Sequence, residues 1–392
     1  MVFDFLRRGG PTEVPEVKAS AAAHVGALNG AGRVAWSPRD TVSLGRTGFS
    51  GNPIGFRCIK LIAEAAAALP MVVQDEATRF ETHPLGALID RPNAAQGRAE
   101  LFEAIYGQLM LSGNAYIEAV GGEEGLPFEL HVLRSDRIRV VPGADGWPVA
   151  YEYAVGARKH RFQVSEMLSP ICHIRNFHPH DDHYGLSPLQ AAGAAIDVHN
   201  AASRWSKALL DNAARPSGAI VYKGADGQGA LAPDQYDRLL SEMESHHQGA
   251  RNAGRPMLLE GGLDWKPMGF SPSDMEFQKT KEAAAREIAI AFGVPPMLVG
   301  IPGEATYANY QEAHRAFYRL TVLPLALKVS AAVSHWLNSF TGDGVTLKPD
   351  LDQVPALAAE RESQWTRVSQ AAFLTADEKR RMLGLPPLEG EA

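Results

Sequence analysis

The stretch FGVPPMLVGIPGEATYAN, residues 292–309, decides the architecture of this chain. One strongly helical pattern ends at its first residue and another begins at its last. Between them, prolines and glycines stop the first helix and turn the backbone. We call these residues the elbow. Two long helices joined by such a turn, with no catalytic constellation in it, predict a mechanical part rather than an active site.

The sequence on either side of the elbow predicts a pair of helices around an insertion. A helix is expected over 273–292, another over 309–340, and Pro324 in the middle of the second predicts a kink. A further helix is expected over 189–213. The segment between it and the helix before the elbow, 216–270, predicts a small α+β excursion. Because the chain must leave and return at nearby points, the two helices that flank this insertion should pack side by side.

The rest of the chain predicts an α+β unit with extensions at both ends. Residues 1–50 are rich in Gly, Ala, Ser and Pro and indicate an extended arm. From residue 52 the periodicity alternates between helical and β types. The tail predicts two short helices, the second opened by a Thr375–Glu378 capping box. The expected helices of the α+β unit are 52–69, 83–90 and 98–111, and its expected strands are 71–74, 115–120, 129–133, 138–141, 150–154 and 171–174.

The composition limits the classes of protein to which this chain can belong. The chain has 392 residues, enough for two or three domains, and its 38 basic and 45 acidic side chains leave a net charge of −7. A protein that held nucleic acid by neutralising phosphates would be basic or would carry a dense basic patch. Two cysteines are too few for a disulfide framework, and both are expected to be buried apolar residues. We found no signal peptide and no run near the roughly 18 apolar residues of a membrane span.

Motifs for common chemistry are absent from the sequence. It contains no G-x-x-x-x-G-K-[ST] loop, so a self-contained packaging ATPase is excluded. It also contains no G-x-S-x-G motif and no H-E-x-x-H pair. No cofactor and no catalytic residue is predicted.

Two polar groupings remain as candidates. His173, His178, His180 and His183, with two aspartates between them, could in principle bind a metal, form a solvated loop at a subunit contact, or sense pH. We favour the solvated loop and predict no metal. Basic residues on the paired helices either line a cavity or form a solvated helix face, namely Arg204, Lys207, Lys279, Lys281 and Arg286.

The order of several motifs resembles the portal proteins of tailed bacteriophages. Each motif alone is weak, but together they run in the same order over most of the chain. They are CIKLIAEAAAALP (58–70), HPL (83–85) with PN (92–93), GNAY (113–116), GLSPL (185–189), IAIAFGVPPMLVG (288–300), and YAN (307–309), the last followed by Phe317, Pro324, Leu374, Glu378 and Arg381.

The resemblance implies an α+β portal fold: long stem helices, an α/β wing, an inserted clip domain and a short helical crown. Such proteins form a ring, typically a dodecamer, at one capsid vertex. The implied layout is a flexible arm at 1–50, wing at 51–188, stem helix at 189–215, clip at 216–270, stem helix at 271–293, tunnel loop at 294–308, long kinked wing helix at 309–345 and crown at 346–392.

The resemblance also implies partners and a site. DNA would pass through the ring without sequence specificity, and the ring would meet a large terminase, the major capsid protein and a head–tail adaptor, with no membrane involved. The expected location is the portal vertex of a virion or phage-like particle assembled in a bacterial cytoplasm. The residues expected to approach DNA are Gly300, Pro302, Glu304, Thr306, Tyr307 and Asn309. Two alternatives stay open: another ring-shaped head–tail connector component, or an enzyme with a helical lid.

Overall fold

The computed structural model describes residues 36–392 except 76–77, 122–124, 166–167, 212–217, 223–233, 235–236, 239–240, 242–262, 268–271, 304–305, 343 and 389–392. Residues 37–392 form one compact unit.

The core begins earlier in the chain than the sequence suggested. A short helix, α1 (Thr41–Leu44), continues into a π-helical turn (Gly45–Ser50). Leu44 is 2% exposed, and the hydroxyl of Ser37 donates to Asp197 at 2.6 Å. The prediction of a flexible arm is therefore wrong for residues 37–50, because composition cannot show which distant residues a segment will pack against. Residues 1–35 of the predicted arm lie outside the described range.

Two packed helices form the centre of the core. Helix α2 (Pro53–Ala67) begins at Asn52, whose side chain accepts hydrogen bonds from the backbone N–H groups of Ile54 and Gly55. It packs against α4 (Arg98–Ser112), and between them in sequence lies α3 (Pro84–Asp90). All three were predicted from their apolar periodicity. Cys58 and Cys172 are buried and unpaired as predicted, and burial raises the pKa of each thiol to about 12.

Two antiparallel three-stranded sheets complete the main body. One has the order β4 (Glu129–Leu133), β3 (Asn114–Val120), β8 (Ile171–Arg175), and the other β5 (Ile138–Pro142), β6 (Pro148–Val155), β7 (Arg158–Gln163). Every strand except β7 was predicted. β7 was missed because five of its six residues are polar and only Phe162 faces the core.

The segment that follows the long helix adds a strand to a sheet of the main body. Strand β11 (Thr346–Pro349) pairs antiparallel with β1 (Met71–Gln74), which also pairs with β2 (Arg79–Phe80). Residues 346–349, which the resemblance assigned to the crown, thus pair with a strand near residue 71, and pairing between such distant strands leaves no local sequence signal.

Asp350 fastens this C-terminal strand to the body. Its carboxylate accepts from Arg79 at 2.5 Å and from Gln353 at 2.7 Å, and its side chain is 6% exposed. Burial alone would raise the pKa of this carboxyl, but the hydrogen bonds outweigh burial and hold the pKa below its usual range.

We expect Asp350→Asn to lower the free energy of unfolding by about 1–3 kcal/mol at neutral pH, because it removes a charge-assisted hydrogen bond and leaves Arg79 without its carboxylate. The Asp350 carboxylate contributes stability above its unfolded pKa near 3.9 and loses that contribution as pH falls through the lower folded pKa. The difference between variant and wild type should therefore shrink under acid, as thermal unfolding between about pH 2 and pH 7 would measure. The matched control is Glu312→Gln, which breaks an exposed pair with Arg315 and should cost only about 0.2–0.5 kcal/mol. A pH-independent loss in Asp350→Asn would contradict the assignment.

A helical hairpin carries a two-stranded ribbon at its end. The chain enters through α5 (Pro188–Ala191) and α6 (Gly193–Asp211), passes β9 (Gly218–Tyr222) and β10 (Leu263–Pro267), which pair antiparallel, and returns through α7 (Pro272–Ala291). The strand prediction at 218–222 is confirmed. Most of the expected helix at 233–247 lies outside the described residues. The expected strand at 256–259 lies entirely outside them.

A continuous helical segment of 35 residues follows the elbow. It comprises α8 (Tyr307–Phe317), a π-helical turn (Tyr318–Val322) and α9 (Leu323–Thr341). Where the sequence predicted a kink at Pro324, the structure has this π-turn. By length and composition the segment could cross a membrane, a feature that the sequence analysis did not pick out. Half of its apolar window is buried inside the protein, so core packing accounts for that half.

The chain ends in two short helices, α10 (Ala358–Gln370) and α11 (Ala376–Met382). The predicted capping box is present: Thr375 accepts from the Glu378 N–H, and the Glu378 carboxylate accepts from the Thr375 N–H.

Candidate functional site: the elbow and the stem hairpin

The elbow begins with a tight helix stop. Gly293 has φ of 67°, and the N–H of Val294 reaches back to the carbonyl of Ala289 at 2.9 Å. This is the pattern of a Schellman cap, which needs a residue that tolerates the left-handed region. Val294 is 2% exposed, so the apolar residue that follows the cap anchors the elbow in the core.

A second helical turn also ends at a glycine, seven residues after Gly293. A 3₁₀ turn (Pro296–Val299) ends at Gly300, which has φ of 77°, and the N–H of Ile301 donates to the carbonyl of Pro296 at 3.1 Å. Ile301 is 6% exposed. The elbow from Gly293 to Ile301 is therefore a fixed base held by two buried aliphatic side chains, where the sequence indicated one continuous loop.

The described residues at the tip of the elbow are exposed. Pro302, Gly303 and Thr306 lie at the surface, whereas Glu304, which was predicted as part of the site, lies outside the described residues. The Thr306 hydroxyl accepts from the N–H of Asn309 and so caps α8. Tyr307 is 79% exposed. Of the predicted elbow residues, Pro302, Thr306 and Tyr307 are thus displayed together, while Gly300 belongs to the fixed base.

Two side chains outside the elbow hold its backbone. The hydroxyl of Thr321, in the π-turn, donates to the carbonyl of Gly293 at 2.6 Å. The guanidinium of Arg286, on α7, donates to the carbonyl of Pro302. The sequence offered no signal for Thr321, which lies 28 residues from its partner. Arg286 was predicted as a channel-lining cation, and in the structure it contacts the elbow.

The helices α6 and α7, which we call the stem hairpin, pack side by side as predicted. The rings of Trp205 and Phe277 stack at 4.1 Å. Toward the other end of α6, burial, with the positive charge of nearby Lys281, lowers the pKa of His199. Residue numbers fall along one helix as they rise along the other, so the helices are antiparallel. Arg204, Lys207 and Lys279 are exposed on this hairpin, whereas Lys281 is partly buried.

The histidine group divides into two parts. His173 lies on β8 and not in a loop: its ring stacks on Tyr116 at 4.2 Å and its Nε2 lies 3.0 Å from Asn114 Oδ1. Burial lowers its pKa to about 3, so it stays neutral. The other members, His178, His180 and His183, lie in the turn after β8. Across the described part of the chain, no three His, Cys, Asp or Glu side chains are placed to hold a metal ion.

The motifs GNAY (113–116) and GLSPL (185–189) contact each other where the stem hairpin leaves the main body. The carbonyl of Gly113 accepts from the N–H of Asn176 at 2.8 Å, and Asn114 Oδ1 accepts from the N–H of Gly185 at 2.8 Å. Ser187, two residues later, caps α5 by accepting from Gln190. The junction thereby fixes where the stem hairpin starts relative to the sheets. Sequence reasoning located both motifs but could not show that they touch.

Comparison with known proteins identifies relatives over nearly the whole chain. A family model described as phage portal protein matches residues 53–384. A chain from the neck of an empty gene transfer agent (GTA) particle, computed with C6 symmetry, is 71% identical; the match covers 93% of this chain and 98% of that one, with a TM-score of 0.75.

Two further relatives extend the comparison. A chain from the neck of a native GTA particle, computed with C12 symmetry, is 70% identical, and the match covers 93% of this chain and 99% of that one with a TM-score of 0.74. The probable portal protein of Streptomyces phage phiC31 is 26% identical, with 93% of this chain and 84% of the relative covered.

Proposed function

This chain belongs to the phage portal protein family, and we propose that it forms the portal ring in the neck of a gene-transfer particle. Through that ring DNA enters and leaves the particle. The role is structural: the chain positions a channel and presents surfaces, and a separate motor supplies the energy.

The ring is supported by the symmetry of a close relative. A chain 70% identical to this one occurs in a particle neck computed with C12 symmetry, and this chain spans 99% of it. A closed ring of identical chains needs two different complementary faces on every copy. Exposed apolar residues on the helix after the elbow suit such a face, namely Leu320, Pro324, Leu327 and Ala331.

The observation that carries the channel proposal is the form of the elbow. Its base is fixed by the buried side chains of Val294 and Ile301, and the described tip residues Pro302, Gly303 and Thr306 are exposed. The sequence has no Lys or Arg between Arg286 and Arg315, and Glu304 is the only acid within the elbow. A surface that lets DNA slide should not hold phosphates, since each basic contact adds to a salt-sensitive grip. We therefore assign the tip to the narrow part of the channel, with Thr306, Tyr307 and Asn309 facing DNA through neutral groups.

The same assignment gives each remaining part a partner. The ribbon β9–β10 lies at the outer end of the stem hairpin and, in our proposal, belongs to the clip that faces the large terminase and afterwards the head–tail adaptor. The main body is the wing, which faces the major capsid protein. Arg204, Lys207, Lys279 and Lys281 remain candidates for the channel lining above the clip.

Two measurements test this proposal. Negative-stain images of the purified protein should show rings with a central hole. In cells that produce particles, Glu304→Gln and Thr306→Ala should change the DNA content per particle, whereas Thr306→Ser, which keeps the capping hydroxyl, should behave as wild type. A compact monomer that never forms rings would contradict the portal role. Unchanged DNA content in every elbow variant would contradict a DNA-facing tip while leaving the ring intact.

A further inference from the structure

We infer that Arg286 and Thr321 are the positioning residues of the elbow, and that Arg286 acts on the loop rather than on DNA. The inference rests on the proposed function in one respect: it takes the elbow tip to be the part that meets DNA. It assigns roles to two side chains that come from different helical segments: Thr321 acts on the first residue of the base, and Arg286 acts on Pro302, the residue that follows the base.

The Gly293 carbonyl needs a partner from outside its own helix. The last carbonyls of a helix lack intrahelical donors, and those beyond the cap depend on side chains or water. Thr321 supplies the donor at 2.6 Å. The approach is so close that a Cβ on Gly293 would lie 2.8 Å from the Thr321 hydroxyl oxygen. Glycine is therefore required here both by its φ and by the space that Thr321 occupies.

The π-turn places Thr321 at this position. Pro324 has no N–H, so the regular hydrogen-bond ladder cannot continue through it. The N–H of Leu323 instead reaches the carbonyl of Tyr318, five residues back. This wider turn inserts an extra residue into the helix, and turns of this kind often lie at functional sites. The irregular turn places the Thr321 hydroxyl where it can donate to the Gly293 carbonyl, and this hydrogen bond offsets the free-energy cost of the irregular helix.

Arg286 holds the point where the base meets the tip. It lies on α7 beside buried residues, including Ala285 and Ile288, while its own guanidinium reaches the carbonyl of Pro302. Ile301, immediately before that carbonyl, is already fixed in the core. With both contacts in place, the backbone from Gly293 to Pro302 is held at each end.

Because Arg286 lies on α7 and Thr321 lies in the π-turn, the position of the elbow tip depends on how these two helical segments pack. A guanidinium bonded to a backbone carbonyl has fewer donors left for phosphates. Removing Arg286 should therefore loosen the tip without changing the salt dependence of DNA retention. Removing a cation that faces DNA would instead reduce the salt slope.

The test compares hydrogen exchange over residues 294–307 in purified protein, as monomer and as ring. Thr321→Val and Arg286→Gln should each raise exchange in this segment by about fivefold or more, since each removes one hydrogen bond from a local structure. Thr321→Ser should restore the wild-type rate because it keeps the hydroxyl. Lys279→Gln, on the same helix and exposed, is the matched control and should leave exchange unchanged.

The salt dependence of DNA retention in particles provides the second readout. Arg286→Gln should show the wild-type slope together with faster exchange. Wild-type exchange in Thr321→Val, or a reduced salt slope with wild-type exchange in Arg286→Gln, would overturn the inference. Because exchange is measured on the protein without DNA, this result stands or falls independently of whether the ring packages DNA.

Discussion

Replacing Gly113 with alanine is expected to destabilise the protein by about 2–5 kcal/mol, the largest effect on folding that we expect from a single methyl group. Gly113 ends α4 with φ of 77°, a conformation that costs an L-residue roughly 1–2 kcal/mol. The remaining cost, about 1–3 kcal/mol, is steric.

The steric part arises from a neighbour distant in sequence. A Cβ on Gly113 would overlap the carbonyl group of Gly185 and the backbone of Leu186. Backbone cannot rotate away as a flexible side chain can, so the junction would have to open. Opening it would weaken the bond between Asn114 and Gly185 and shift the start of the stem hairpin. The variant should therefore lose ring assembly as well as stability.

Thermal unfolding measures the first effect, with an expected fall in Tm on the order of 10 °C. Gly107→Ala is the matched control, because Gly107 lies in the same helix and has nothing within 4 Å of its Cβ position. That substitution should stabilise the helix by about 0.5–1 kcal/mol. If both alanine variants shifted Tm equally, the contact between Gly113 and Gly185 would carry none of the stability assigned to it.

Gly303→Lys is expected to cut the number of DNA-filled particles roughly tenfold, because a ring of new lysines at the elbow tip would bind phosphates. Gly303 has no positive φ, and within the described residues nothing lies within 4 Å of its Cβ position, so the site accepts a side chain without backbone strain. Each new phosphate contact adds about one to the negative salt slope of DNA binding. A copy of this charge on every subunit would act on the same stretch of DNA.

Two companion variants separate charge from bulk. Gly303→Ser tests tolerance of a small side chain and should package normally. Gly303→Gln has nearly the length of lysine without its charge and should also package close to normally. The measurement is DNA per particle, together with the salt needed to release DNA from isolated rings. Equal losses in the lysine and glutamine variants would indicate steric blockage and would contradict the argument from charge.

Local patterns in the sequence were sufficient to place most of the helices and most of the strands. Apolar periodicity located α2, and the glycine at 113 marked the end of α4. The polar strand β7 gave no such pattern, because its partner β6 supplies the pairing and only Phe162 packs inward. The segment 37–50 was misread for a similar reason: its Gly, Ser and Arg residues resemble a linker, and only the contacts of Ser37 and Leu44 show that it is part of the core.

The candidate site also combines features that the local sequence determines with features that only tertiary contacts determine. The sequence itself determined the elbow: the glycines and prolines that turn it, the absence of Lys and Arg, and the capping threonine are all local properties. Only the tertiary structure decided which part of the elbow is fixed and what fixes it. Arg286 and Thr321 act across 16 and 28 residues, and Val294 and Ile301 act through the core. Such contacts depend on where whole helices pack. Local backbone preferences are encoded within a few residues, whereas the partners of buried atoms are chosen by the fold as a whole.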